Sequence, residues 1–170
     1  LQQLIDSIPN PVLFRNTAGQ YLGCNKAFEE FLGLMKKDIV GKSVYDVHPK
    51  EMSDFCFVSD RELLNSPKTT QIIEATLKNA SGAWKDILFH KAVYTKNDGN
   101  VGGIVGIFVD ITERKRMEDA LRESEERFRR TFDQSPIGAA IISLDYRFLR
   151  VNDQWCRITG YTEQDQIGTA

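Results

Sequence analysis

Apolar residues recur at helical spacing over Leu1, Leu4, Ile5 and Ile8, and Pro9-Asn10-Pro11 then stops the helix. Two short apolar runs at 12–16 and 21–24, joined through Ala18-Gly19, predict a hairpin. Asn25 precedes a helical face of Ala27, Phe28, Phe31 and Leu32, and Gly33 closes it, as expected of an N-cap and a left-handed C-terminal residue. Helical turns follow at 36–40 and 44–47, ended by His48-Pro49. Phe55, Val58, Leu63 and Leu64 mark a longer helix from about 50 to 65, closed by Ser66-Pro67. The period then changes from 3.6 to two. Ile73, Ala75 and Leu77 alternate with polar residues over 70–78, and runs at 84–95 and 101–109 follow turns at Asn79-Ala80-Ser81-Gly82 and Asn97-Asp98-Gly99-Asn100. Two strands, several short helices and three more strands predict an α+β fold, a five-stranded antiparallel sheet with helices on one face.

The sharpest change of character lies at Asp110. Residues 101–109 are apolar with three glycines, which suits a strand buried on both faces. From 110 to 130 seven basic and seven acidic residues follow without Gly or Pro, which predicts a long exposed helix. Asp110-Ile111-Thr112-Glu113 has capping-box spacing, and Asp110 can reach Arg114 across one turn. Arg114, Met117, Leu121, Ser124, Phe128 and Thr131 step by three and four, a heptad seam of about 30 Å. The same residues also fit a solvated spacer laced by i,i+4 ion pairs.

Residues 5–41 repeat, without a gap, at 132–168. Asp6 falls on Asp133, Pro9 on Pro136, Asn25 on Asn152, Gly33 on Gly160 and Gly41 on Gly168. The matches sit at turns and caps, where backbone geometry selects the residue. The chain therefore divides into a complete unit at 1–112, a connecting helix at 113–131 and the opening part of a second unit at 132–170. Because it begins at Leu1 and not Met, it is expected to be a piece of something longer, and the partial second unit is expected to be disordered or to pack on another chain.

With the Asn25…Gly33 helix, this order of elements and the Asp110-Ile111-Thr112-Glu113-Arg114 ending, the chain resembles a PAS domain with its C-terminal motif. Residues 60–112 are most similar to the subgroup found before sensor kinases and cyclases. The resemblance implies a cavity between sheet and long helix. By alternation Ile73, Ala75, Leu77, Ile87, Phe89, Lys91, Val93, Ile104, Gly106 and Phe108 face it, with Phe55 and Val58 from the helix; Gly106 leaves room beside Phe108. An ammonium on that face is costly unless paired. Lys91 is expected to answer an anion in the cavity, to pair with Asp60 or Glu62, or to extend to water.

Cofactors stay unknown. His48 precedes the long helix instead of projecting from it, which argues against haem; His90 lies on the opposite sheet face. Neither Cys24 nor Cys56 has the setting of a flavin-reactive cysteine. Two isolated His and three scattered Cys give no metal-ligand spacing, and no nucleophile–base pair stands out. A net charge near −2 gives no general affinity for nucleic acid or anionic lipid, and no apolar run approaches a membrane span. The odd cysteine count suits reduced thiols in the cytoplasm. Leu88, Ala92, Tyr94, Val105, Ile107 and Val109 form an outer sheet face too apolar for water, expected to be covered by the helix of Leu1, Leu4 and Ile5 or by a second copy. A homodimer through that helix, the outer face and the Met117, Leu121, Phe128 seam follows. The expected role is a non-catalytic sensor of an unknown small molecule, relaying through Asp110, Ile111, Thr112 and Arg114 to a histidine kinase. A diguanylate cyclase input, or a ligand-free dimerisation module, is the alternative.

Overall fold

The structure, a computed structural model, describes residues 2–66 and 70–168; Leu1 and Pro67 lie outside them. Two units separate at residues 115 and 116.

In the first unit, α1 (Gln2–Asp6) leads into β1 (Val12–Asn16) and β2 (Tyr21–Cys24). Then come α2 (Lys26–Leu32), α3 (Lys36–Ile39), α4 (Val44–Val47) and α5 (Lys50–Asn65), followed by β3 (Thr70–Lys78), β4 (Trp84–Thr95) and β5 (Val101–Asp110). The five strands form one antiparallel sheet in the order β2-β1-β5-β4-β3, so the last strand lies at its centre. Glycine makes that position tenable. A Cβ on Gly103, at φ +148°, would sit 1.9 Å from the Arg15 carbonyl oxygen, and one on Gly102 would enter the Tyr94 ring at 2.3 Å.

Asn25 ties the start of the unit together. Its Oδ1 accepts the Phe28 and Val12 amides at 3.0 and 2.8 Å, and its Nδ2 donates to the carbonyls of Ile5, Ile8 and Asn10. Gly33 then closes α2 at φ +70°.

The inner sheet face carries Ile73, Phe89 and Phe108 in register, with Leu13, Gly106 and Lys91 in the next row. Phe89 meets Phe108 edge-on at 4.6 Å, and Phe28 and Phe31 pack on Phe108 at 5.7 and 5.4 Å. The space beside Gly106 is not open. A Cβ there would meet the Phe89 ring at 2.5 Å, because that ring fills the position.

Helix α5 is turned differently from the sequence expectation. Phe55 and Val58 are 52% and 57% exposed, while Ser53, Cys56, Ser59, Asp60 and Leu63 are buried. Polar bonds fix this rotation. Ser53 Oγ donates to the Val44 and Pro49 carbonyls, and Asp60 is held by two cations from the sheet.

Helix α6 (Thr112–Asp133) begins one residue after β5 and continues into the second unit. There β6 (Ala140–Ile142) and β7 (Phe148–Val151) form a hairpin, followed by α7 (Asp153–Thr159) and α8 (Glu163–Gln166). Of the two expectations for this stretch, disorder does not match its regular elements. Asn152 repeats the role of Asn25: it accepts from Trp155 and Ala139 and donates to the carbonyls of Phe132 and Ile137. Each of those partners is the repeat equivalent of a partner of Asn25.

Candidate functional site

The alternation Leu13, Arg15 on β1 brings a guanidinium onto the inner face, and Lys91 arrives from β4. Both are 1% exposed. Asp60 of α5 answers both: its Oδ2 lies 2.8 Å from Arg15 Nη1, and its Oδ1 accepts from Lys91 Nζ at 2.9 Å and Arg15 Nη2 at 3.2 Å. Lys91 also donates to Ser59 Oγ at 2.6 Å. Of the partners open to Lys91 from sequence, a chain carboxylate is the one it holds. Burial pushes the Lys91 pKa down, against the pull of Asp60. Arg15 was not singled out from sequence, although strand parity with Leu13 places it inward.

Tyr21, Cys56 and His48 lie near the cluster charges. Burial raises the Tyr21 hydroxyl and the Cys56 thiol above their ordinary values, and Cys24 is pushed up to about 11. His48 is pushed down to about 4 by burial and by the Arg15 charge. Its Nε2 lies 2.9 Å from the Tyr21 hydroxyl.

With the centre of the inner face filled by aromatic rings, open space lies at its two ends. One cavity, about 160 Å³, borders Asp60, Ile104, Val44 and the Asn16–Gly19 turn. The other, about 450 Å³, lies between Phe31, Met52, Leu77 and Trp84. Of the sequence-predicted residues, Ile104 touches the first and Leu77 the second; Phe89, Phe108 and Ile73 belong to the packed centre. Ala75 pairs with Ile87 towards the end of β3.

The junction of β5 and α6 is closely bonded. Asp110 Oδ1 accepts the Thr112 amide at 2.9 Å, and its other oxygen pairs with Lys85 at 2.8 Å. Thr112 Oγ1 accepts the Asp86 amide, and the Ile111 amide donates to the Asp86 carbonyl. Ile111 is buried, and Lys115 pairs with Glu74 and Asp86. Partial burial raises the Asp110 carboxyl, but Lys85 and Thr112 together outweigh it and hold the group below the usual carboxylate range. The capping box read from sequence forms differently: α6 starts at Thr112, and Asp110 caps the residue two positions on. Arg114 lies exposed on the first turn.

Outside, Phe14, Leu22, Tyr94 and Val105 line a groove of about 620 Å³ that Ile5 and Gln2 of α1 border. Leu88 and Ile107 are half-buried on the same face, whereas Leu4 points away and is 70% exposed. Met117, Leu121 and Phe128 are each more than half exposed along α6. Among the described residues no helix is long and apolar enough to cross a membrane, and no group of three His, Cys, Asp or Glu forms a metal site.

The model of the PAS fold matches residues 5–116, and a PAS domain model matches 126–169. The chain belongs to the PAS family. It is 30% identical, over 78% of its length, to the aerobic respiration control sensor protein ArcB of Escherichia coli K12. It is 24% identical over 91% of its length to the virulence sensor protein BvgS of Bordetella pertussis. The two-component sensor PprA of Pseudomonas aeruginosa is 27% identical over 80% of the chain. The chain spans 17%, 14% and 15% of these relatives, respectively. Among solved structures, the PAS domain of Bordetella pertussis BvgS aligns with TM-score 0.55 at 23% identity, covering 74% of this chain and 94% of that one. A phage VqmA–DPO complex aligns with TM-score 0.60 at 22% identity, covering 71% and 56%. Both matched segments of this PAS protein are PAS domains, and neither is a catalytic domain.

Proposed function

We propose that this chain is the sensory input module of a larger cytoplasmic signal-transduction protein, a sensor histidine kinase. A small molecule held between the sheet and α5 shifts β5, and the junction at Asp110–Thr112 passes that shift to α6. The observation that carries the reading is the single residue, Ile111, between the central strand and the helix. With Asp110, Thr112 and Lys115 all bonded to β3 or β4, a displacement of the sheet is transmitted to α6 and not absorbed in a loop. A ligand acts here by its difference in affinity for two settings of that joint. Two copies pair through α1 (Leu4, Ile5), the outer face (Leu88, Tyr94, Val105, Ile107) and the α6 seam (Met117, Leu121, Phe128), so that paired helices reach the output domain together. The homology to sensor proteins supports the setting.

The test combines a thermal-shift screen of metabolites with hydrogen exchange. A compound that stabilises the chain is expected to slow amide exchange in the first turns of α6, and Asp110→Ala to keep the stabilisation while losing the effect on α6. Stabilisers that leave α6 exchange untouched in the wild type would end the relay reading. The ligand-free dimerisation module has one observation in its favour, the aromatic packing of Phe28, Phe89 and Phe108 at the centre of the inner face. A screen without any stabilising compound selects it.

A further inference from the structure

Beneath α5 three charged side chains meet with one charge left over. Arg15, Lys91 and Asp60 are 1%, 1% and 7% exposed, and the single carboxylate is shared by both cations. A guanidinium keeps its proton at any pH a cell reaches. The other groups facing the cluster do not supply the missing negative charge. Tyr21 on β2 and Cys56 on α5 are held protonated by burial, and His48 after α4 is held neutral. Ser59 on α5 is an uncharged acceptor, and the residues opposite Lys91 on β3 and β5 are Gln71 and Gly106. An unbalanced charge in an apolar interior is costly. Arg15 Nε, moreover, is buried without an acceptor.

The protein is open beside this cluster. The cavity of about 160 Å³ has Asp60 in its wall, Arg61 and Phe57 beside it, and Thr17 from the β1–β2 turn. Ile104, also in the wall, is the cross-strand partner of Arg15. Arg61 adds another cation to the lining. A protein cavity of about 150 Å³ takes a six-carbon ring, so this space admits acetate or lactate and is too small for a nucleotide.

We propose that this cavity takes a small monocarboxylate, whose charge balances Arg15 and Lys91 against Asp60. The proposal rests on the sensory reading above and gives its ligand class. Burial pulls the Lys91 pKa down, so binding and protonation are linked: the carboxylate binds the form with the amine charged.

The whole chain is melted at fixed ionic strength with sodium acetate, sodium lactate, sodium chloride or uncharged acetamide. At pH 7 the carboxylates are expected to raise the midpoint by about 3 °C or more when far above their dissociation constants, and chloride and acetamide to have no such effect. As the pH rises above 7 and Lys91 discharges, the carboxylate response is expected to fade. In Lys91→Met, Arg15 and Asp60 balance each other. This variant is expected to melt no lower than wild type without carboxylate, and to lose the response. Chloride or acetamide acting as well as acetate, or Lys91→Met responding like wild type, overturns the proposal. If circular dichroism shows Lys91→Met misfolded, the wild-type pH series decides alone, and a response that does not weaken as the pH is raised overturns it. Uncharged metabolites that stabilise the chain where carboxylates do not would remove the ligand class and leave the sensory reading standing. Carboxylates that stabilise it without slowing α6 exchange would support the site and remove the relay.

Discussion

Asn25 makes five hydrogen bonds with one amide group, two as acceptor and three as donor, all to backbone atoms of 5–28. Removing it orphans the buried Val12 and Phe28 amides and leaves three part-buried carbonyls without their donor, so Asn25→Ala is expected to cost about 2–4 kcal/mol in chemical denaturation. Asn25→Asp keeps the helix cap but sets a carboxylate against three carbonyls, and is expected to fall in the same range. A destabilisation under about 1 kcal/mol for either would mean the network carries little. The cap was legible from Asn25 and Gly33 alone; the three donor bonds were not, because their partners are carbonyls that any residue provides. The same limit hid the charged cluster. Lys91 stood out as a cation among apolar alternates, yet Arg15 passed as a residue of a short strand, and α5 was turned by its apolar positions when Ser53 and Asp60 decide its rotation. His48 gives a residue-scale test with a definite sign. Its folded pKa of about 4 lies below the ordinary 6.5, so the folded state binds fewer protons than the unfolded one in between. Stability is therefore full above about pH 6.5 and declines towards pH 4. In His48→Gln, which can still bond Tyr21, the fall in melting midpoint between pH 7 and 4.5 is expected to be smaller than in wild type.

At the scale of elements, the two hairpins of the repeat share their register and the place of their bulge but differ at a turn position where the backbone is left-handed. Gly19 has φ +80° in the first, and its counterpart Tyr146 has φ +64° in the second, the only non-glycine residue with positive φ among the described residues. An L-residue with a branched or bulky side chain costs about 1 kcal/mol there. Tyr146→Gly is expected to recover about that much, read as slower exchange of the β6–β7 amides; faster exchange would show that the tyrosine ring contributes more than its backbone costs. The junction of β5 and α6 gives a second element-scale test. Lys85 and Asp110 are both part-exposed, so their pair contributes little to global stability. It ties the end of β5 to β4. Lys85→Met is accordingly expected to shift the melting midpoint by a degree or two at most, and to speed exchange in the first turn of α6 measurably. The strand-to-helix transition was plain from the loss of apolar residues at Asp110, whereas its anchoring to Asp86 required the register of β4 against β5.

For the whole molecule, the question is what covers the outer sheet face. Helix α1 has five residues and borders the groove only with Gln2 and Ile5, while Leu4 faces away. It is too short to shield strands that carry Leu88, Tyr94, Val105 and Ile107 across the sheet. An apolar surface of this continuity is what a self-complementary interface needs, since a two-fold axis brings the same patch to both partners. Val105 sits on the central strand, paired to Phe14 on one side and Ala92 on the other, so a charge there falls in the middle of the patch without touching the inner core. Val105→Lys is expected to convert a dimer into a folded monomer in sedimentation, with the far-ultraviolet dichroism unchanged. Leu121→Lys, on the α6 seam, is expected to weaken association by a smaller factor, because two and a half heptads with polar members contribute less than a sheet face. Should Val105→Lys remain dimeric while Leu121→Lys dissociates, the helices and not the sheets hold the copies together, and α6 would then report dimerisation directly instead of through β5.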